Sequence, residues 1–462
     1  MNQISPNPLR ASAADELAAV WDKPDPWDYD PEAMADLQLA AVQERFLERR
    51  GQLKVLDQRA SDQNIEEVST LQDVVPLLFS HTTYKSYPES FVTKGNWKLL
   101  TKWLGTLSTA PVDNIDLTGV ENVDDWIQAA HAAGHLVMSS SGTSGHSSYV
   151  NQVPADREQH RRTIELAIKA SCDFAGGQNY ALFAGLPRSG RNMGSEHIRL
   201  LEELFARPDD VHYMSNEYVS VAELDRLAMI RRSVIAGTAT AGAIADAEKE
   251  AAARQELTES QILRWLDALL ERRGEPMVVF AGASMLWRIV EHGRAKGIGN
   301  GEFNPQTLIK TGGGMKGFRG PENFMEQVYE FFGLPKNRFP LAYGMTELVS
   351  PAVGCEHGAY HFSPTTVLLL LDKSGETLIN QPSGIVEGRG GFFDVMLQGR
   401  WGGVISGDRL TINFSPCKCG RKSPSVLEIT RYKDLPEGDD KLTCAGQVDS
   451  YVRGFVGGDW QE

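Results

Sequence analysis

Cysteine is scarce in this 462-residue chain: five residues, two of them in Cys417-Lys418-Cys419, cannot form the disulfide framework of a small secreted domain. Long hydrophobic runs are missing as well. The longest aliphatic stretch, Val367-Leu368-Leu369-Leu370-Leu371, is far too short to span a bilayer, and no charged-then-apolar leader opens the chain. Positive charge is in deficit. Lys and Arg number 46 against 61 Asp and Glu, a net charge of −15, which argues against a nucleic-acid or anionic-membrane partner. A local loop can still hold phosphate within an acidic protein. These absences lead us to expect a cytoplasmic protein. What is present, 41% hydrophobic and 23% charged residues, suits a soluble globular chain of two or three domains, or one large α/β domain with additions.

Along the chain, residues 1–60 form a helical lead-in, with apolar residues at helical spacing from Pro31 to Arg50. Residues 61–350 alternate helices and strands. Helices are expected over Val123–Ala133, Arg157–Phe174, Glu259–Arg273 (with Thr258 as N-cap) and Ser284–Lys296. Strands are expected at Leu136–Met138, Tyr180–Gly185, Ser233–Ala236, Met277–Ala281 and Thr307–Lys310. This alternation indicates parallel βαβ units. Ala239–Ala253 reads as a solvated helix or a mobile insert. Short strands with Gly/Pro turns mark residues 351–430 as a β-rich subdomain, and 431–462 remain as a short C-terminal segment.

Four segments carry chemistry. After the strand at Leu136–Met138 comes Ser139-Ser140-Ser141-Gly142-Thr143-Ser144-Gly145, whose hydroxyls and backbone N–H groups suit a polyphosphate. It is not a Walker A loop, since no lysine closes it; the plainer alternative is a flexible loop. Gly312-Gly313-Gly314 follows a strand and lets a flat ligand approach the backbone. In Tyr343-Gly344-Met345-Thr346-Glu347 an aromatic that can stack on a base precedes a hydroxyl and a carboxylate, a phosphate donor and a Mg²⁺ ligand. Asp408, closing a short strand in Ser406-Gly407-Asp408, can accept from vicinal ribose hydroxyls, and Arg421 supplies a cation.

In this order, over about 280 residues, the segments resemble the adenylate-forming superfamily of acyl- and aryl-CoA ligases. Ser140–Gly145 looks like its phosphate loop, Tyr343–Glu347 like its Tyr-Gly-x-Thr-Glu motif, and Gly407-Asp408 like its ribose-binding pair. Cys417-Lys418-Cys419-Gly420-Arg421 is similar to a segment of phenylacetate-CoA ligases. Ile309–Lys316 and the tail leading to Cys444 are similar to the acyl-protein synthetases of bacterial luciferase operons. In that family the acyl group passes to a cysteine near the C-terminus and then to a partner reductase. Residues 422–462, all that follow Arg421, are fewer than the mobile C-terminal domain of the full ligases needs, so that domain is expected to be absent or strongly truncated.

Cys355, His361, Cys417 and Cys419 suit a four-ligand structural Zn²⁺ site, with His357 as rival fourth ligand and free buried thiols as the alternative. Cys172, on a helix face, reads as core. The resemblance implies an α/β enzyme that uses ATP and Mg²⁺ to activate a carboxylic acid, aryl or acyl. The acid would enter between Phe183–Gly185 and the Phe280–Ser284 segment, lined by Ala281, Gly282 and Ala283. The acceptor is a thiol or amine: Cys444, CoA, a carrier protein or a partner reductase. A non-catalytic nucleotide- or acyl-binding protein of the same fold is the rival, and the Thr346-Glu347 pair speaks against it.

Overall fold

The computed structural model describes residues 12–80, 82–139, 147–172, 174–189, 192–218, 220–312, 318–380 and 383–435. The N-terminal helices are α1 (Ala13–Ala18), α2 (Pro31–Gln52), α3 (Lys54–Asp62) and α4 (Leu71–Val74). Helix α2 starts where its sequence says it should: the Asp30 carboxylate accepts from the Glu32 and Ala33 N–H groups, and Pro31 occupies the first turn. Its buried face, Ala41, Val42 and Phe46, shares one apolar core with Trp103, Trp126, Leu369 and Trp401. The lead-in is thus built onto the β-rich sheet; Arg45 Nε donates to the Val395 carbonyl at 3.0 Å.

Next come β1 (Phe79–Ser80), α5 (Glu89–Thr93), α6 (Trp97–Leu107), α7 (Val123–Ala132), the antiparallel pair β2 (Leu136–Ser139) and β3 (Tyr149–Gln152), and α8 (Pro154–Ser171). A four-stranded parallel sheet, in the order β5-β4-β6-β7, contains β4 (Tyr180–Ser189), β5 (Ala206–Tyr218), β6 (Met277–Phe280) and β7 (Leu308–Lys310). Helices α9 (Met193–Phe205), α10 (Val221–Ile235), α11 (Ala241–Glu271), α12 (Ala283–Ala295) and α13 (Phe324–Phe332) complete this part. All four residues of β6 are buried, as expected for a parallel strand covered on both faces. One face packs on Trp265, Leu269, Ile289 and Phe331, the other on Ile164, Ile198 and Leu201.

The largest sheet has eight strands, in the order β11-β12-β13-β14-β10-β9-β8 with β1 parallel to β13. These are β8 (Ala342–Tyr343), β9 (Ala352–Gly354), β10 (Tyr360–His361), β11 (Thr366–Leu371), β12 (Ile385–Asp394), β13 (Gly403–Asn413) and β14 (Ser425–Arg431). The architecture is α/β, as the sequence leads one to expect.

Two local expectations fail, and one strand lies where none was expected. Ser233–Ala236 is not a strand: Ser233–Ile235 close helix α10, where Ile235 is 86% exposed, so β-branching there reflects a solvated helix end. The helix expected to begin at Glu259 is one 31-residue helix from Ala241, and Thr258 lies in its interior rather than at its cap. The alanine-rich segment propagates the helix instead of interrupting it. Strand β5 was not foreseen. Its polar run Arg207-Pro208-Asp209-Asp210 suits a strand that is paired on one side only, against β4.

Candidate active site

Strand β8 ends at Tyr343 on the rim of the large sheet. A Cβ at Gly344 would lie 2.9 Å from Pro351 Cβ, so only glycine lets the chain turn this tightly. The Tyr343 hydroxyl donates to Asp408 Oδ2 at 2.8 Å. Its ring rests against Tyr360, Phe362 and Phe392 at centroid distances of 6.3, 6.0 and 6.2 Å. Burial and the Asp408 carboxylate hold the phenol well above its ordinary pKa, so it remains a donor. Asp408 does not close a short strand; it sits inside the 11-residue β13, opposite Arg431 of β14 in antiparallel register. Arg431 Nε lies 3.5 Å from Asp408 Oδ1. The cation beside Asp408 is therefore Arg431. Arg421 instead pairs with Asp25 at 2.9 Å, over the Trp27 ring, and ties the N-terminal segment to the large sheet.

Thr346 and Glu347 follow in a turn. Arg400, 1% exposed, donates to the Thr346 carbonyl at 3.1 Å and to the Asn151 carbonyl at 2.5 Å, linking the turn to β3. Its Nε is buried without a hydrogen-bond partner among the described residues. Burial pushes the Glu347 carboxyl up, opposed by the Arg400, Lys85 and Arg431 cations. A half-buried carboxylate facing cations has the donor chemistry to hold Mg²⁺ beside an anion.

The phosphate-loop residues Ser140, Ser141, Gly142, Thr143, Ser144 and Gly145 lie outside the described residues, as do Gly313, Gly314 and Cys444. The strand before the first of these, β2, is where it was expected and ends at Ser139. Gly312 lies at the carboxyl end of the parallel sheet, beside the Phe280 ring. There β4, β6 and β7 come together: a Cβ on Gly185 would meet the Phe280 carbonyl at 3.2 Å, and Gly282 lies next to the Gly312 carbonyl. Ala281 is fully buried and Ala283 opens α12 after Gly282. Phe183 points elsewhere, into the core, stacked on His212 at 4.5 Å and against Trp265.

On the α8/α9 side of this sheet the structure gathers three groups that the sequence reading passed over. Lys310 is 4% exposed, and its Nζ donates to the Pro340 carbonyl at 3.1 Å. His160 of α8 and His197 of α9 approach each other with ring centroids 5.9 Å apart, and His197 lies 5.5 Å from Phe280. Burial pushes Lys310 down to about 8 and His160 to about 4; burial and Lys310 hold His197 well below its ordinary value. One signal was legible: a lysine ends the otherwise apolar strand Leu308-Ile309-Lys310. Arg400 and Arg431 carried none, since nothing in the spacing links them to Glu347 or Asp408.

The Cys/His cluster assembles from two turns of the large sheet. Ligand atoms of Cys355, His361, Cys417 and Cys419 all lie within 4.8 Å of one another. Cys355 and Cys417 sulfurs are 3.9 Å apart, and Cys419 Sγ is 3.5 Å from His361 Nε2. Four ligands about 2.0–2.3 Å from a tetrahedral Zn²⁺ would be separated by roughly 3.5–3.8 Å. The donor set fits that ion. His361 Nδ1 contacts Ser423 Oγ at 3.0 Å, which fixes the ring with Nε2 toward the thiols. His357, exposed beside Glu356, is outside the cluster. Cys172 is buried in the core.

A surface cleft of about 740 Å³ along β5, lined by Arg188, Arg207, Tyr213 and Tyr218 among others, touches none of the motif residues. Among the described residues no helix is long and apolar enough to cross a membrane.

The arrangement defines a fold class. Two solved structures of 2-hydroxyisobutyryl-CoA ligase in the postadenylation state, in complex with R3-HIB-AMP and with 2-HIB-AMP, align with this chain at TM-scores of 0.53 and 0.52. The alignments cover 97% and 92% of this chain and 77% and 74% of the ligase chains, at 11% identity in both. The chain has the fold of the adenylate-forming CoA ligases. No family model and no curated protein matches the sequence.

Proposed function

We propose that this protein is an adenylate-forming enzyme that activates a carboxylic acid with ATP. A carboxylate oxygen attacks the α-phosphorus, the bond from that phosphorus to the bridging oxygen breaks, and pyrophosphate leaves. A thiol or amine then attacks the acyl carbon of the mixed anhydride and AMP departs. The observation that carries this reading is the presence of two sets of side chains, one on the strands and one on the turns of the large sheet. Tyr343, Asp408 and Arg431 form one; Thr346, Glu347 and Arg400 form the other.

Little covalent chemistry falls to the protein, whose task is to orient anions and offset charge. Tyr343 offers a face to adenine, Asp408 accepts from the ribose hydroxyls, and Arg431 holds that carboxylate in place. Thr346 donates to the α-phosphate, the Ser140–Gly145 segment would supply hydroxyl and N–H donors to the other phosphates, and Gly312–Gly314 would let the nucleotide approach the backbone. Glu347 would hold Mg²⁺, which when bound offsets charge on the phosphate oxygens. Zinc in the Cys355–His361–Cys417–Cys419 cluster would be structural, with no open position for chemistry. Cys444 would receive the acyl group if transfer is to this chain itself. CoA, a carrier protein or a partner reductase are the external acceptors.

Acid-dependent exchange of labelled pyrophosphate into ATP tests the reading. Exchange should appear with some carboxylate, and Glu347→Ala should lower it by at least about a hundredfold while the fold persists. An unchanged rate in the variant would remove Glu347 from the site. Absence of exchange across fatty, aryl, hydroxy and dicarboxylic acids would overturn the activity.

A further inference from the structure

Lys310 is a buried cation with no carboxylate paired to it among the described residues. Among the described residues no ion pair involves it, and its one bond is to the Pro340 carbonyl, a neutral acceptor. Glu196, whose charge is felt at His160, is already committed to Arg157 at 2.5 Å and Arg199 at 2.7 Å. Two further polar atoms on the same side of the sheet are buried and without a hydrogen-bond partner among the described residues: His160 Nδ1 and His197 Nε2. A buried ammonium and two unsatisfied imidazole nitrogens would be expensive in a purely structural core. They stand at the carboxyl end of a parallel sheet, where ligands of open α/β folds bind. Phe280 and Lys310 are register partners on β6 and β7, so both side chains face α8 and α9. Phe280 is also where the acid is proposed to enter.

We propose that the acid activated here carries a second anionic group, and that Lys310, with His160 and His197 beside it, receives that group while the other carboxylate is adenylated. The substrate class is thus a dicarboxylic acid, and Lys310 is the specificity-determining residue. The charge of the far carboxylate supplies the counter-ion that the protein withholds. A monocarboxylic acid of equal length would leave the ammonium unpaired. This rests on the adenylation reading for the reaction, but not for the binding.

The test pairs diacids with monoacids of matched length: glutarate with valerate, adipate with hexanoate, terephthalate with 4-methylbenzoate. In pyrophosphate exchange the wild-type chain should prefer at least one diacid over its partner. Lys310→Met should lower kcat/KM for that diacid by at least about thirtyfold, mainly through KM, and leave or improve the monoacid. Thermal unfolding of the variant confirms that it is folded. Calorimetric titration of the same acids without ATP separates the two readings. Diacid binding that is lost in Lys310→Met, with no exchange for any acid, sinks adenylation and keeps this inference. A preference for monoacids that Lys310→Met does not alter overturns it while adenylation stands. An equal loss for both kinds of acid overturns it too, since Lys310 would then only brace Pro340. If no diacid of the panel binds or exchanges, it also fails.

Discussion

The two main sheets place functional groups in opposite ways. In the large, mostly antiparallel sheet the side chains themselves form the proposed site: Tyr343, Asp408 and Arg431 meet across β8, β13 and β14, and the Cys/His cluster joins two of its turns. In the parallel sheet the inner strand β6 is buried on both faces, as are the residues of β7, and what they offer is their ends. Gly185, Gly282 and Gly312 sit there as backbone, and Lys310 is the lone cation of its strand. Antiparallel register holds directly opposite residues at a set spacing of about 4.5–5.5 Å, so under the proposed reading it suits the partner that does not vary, a nucleotide. Strand ends accept different residues without disturbing the ladder, so under the proposed reading they suit the partner that varies, the acid.

The sharpest way to break the large sheet is to remove a ligand of its Cys/His cluster. Structural zinc in small domains contributes roughly 10 kcal/mol of apparent binding free energy, and losing one ligand forfeits much of it. Cys417→Ser should therefore lower the melting temperature by at least about 10 °C. Untagged wild-type chain should carry one zinc by elemental mass spectrometry, and the variant far less. Zinc-free wild-type protein with an unchanged melting temperature would refute the assignment.

The parallel sheet should respond in the other direction. Lys310 has a folded-state pKa of about 8 against an ordinary 10.5, so between these values the unfolded chain binds more protons than the folded one. Lysine with a depressed pKa costs stability below about pH 8, and that cost disappears as pH rises toward 10.5. Lys310→Met should remove this rise and stabilise the ligand-free chain at pH 7 by on the order of 3 kcal/mol. Denaturant unfolding at pH 7 and pH 10 measures both. A variant less stable than wild type at pH 7 would mean that the bond to Pro340 outweighs desolvation.

A smaller effect separates binding from folding in the large sheet. Asp408→Asn keeps the volume but removes the charge that Arg431 faces, so the ATP KM should rise by about ten- to a hundredfold with the acid KM unchanged. Equal changes in both would mean that Asp408 serves the sheet rather than the ribose. The smallest effect belongs to the edge of the parallel sheet. Hydrogen bonds from Arg272 foremost, then His212 and Arg207, hold the Asp210 carboxyl far below its ordinary value of 3.8. Its stabilisation is present above that pH and lost as pH falls below it. Asp210→Asn should cost about 1 kcal/mol at pH 7 and flatten the acid limb of the stability curve.

Much of the frame was legible because it is local. The helix expected over Val123–Ala133 is there as Val123–Ala132, and the strand expected over Met277–Ala281 is there as Met277–Phe280, each read from the spacing of its own apolar residues. The turn chemistry of Tyr343–Glu347 and the spacing of Cys417 and Cys419 were likewise written in consecutive residues. Thr258 and Ser233–Ile235 were misread because capping and β-branching are local preferences that the continuous helices α10 and α11 override. What tertiary structure alone decided is which distant charges meet. Arg421 follows the second cysteine closely in sequence yet turns to Asp25, while Arg431 reaches Asp408 because β13 and β14 align in antiparallel register. Lys310, His160 and His197 lie on three separate elements and become one buried group only when α8 and α9 pack on the parallel sheet. A sequence specifies which residues can carry charge and where strands end. Whether a charge is left without a partner is a property of packing, since it depends on every element that approaches it in space.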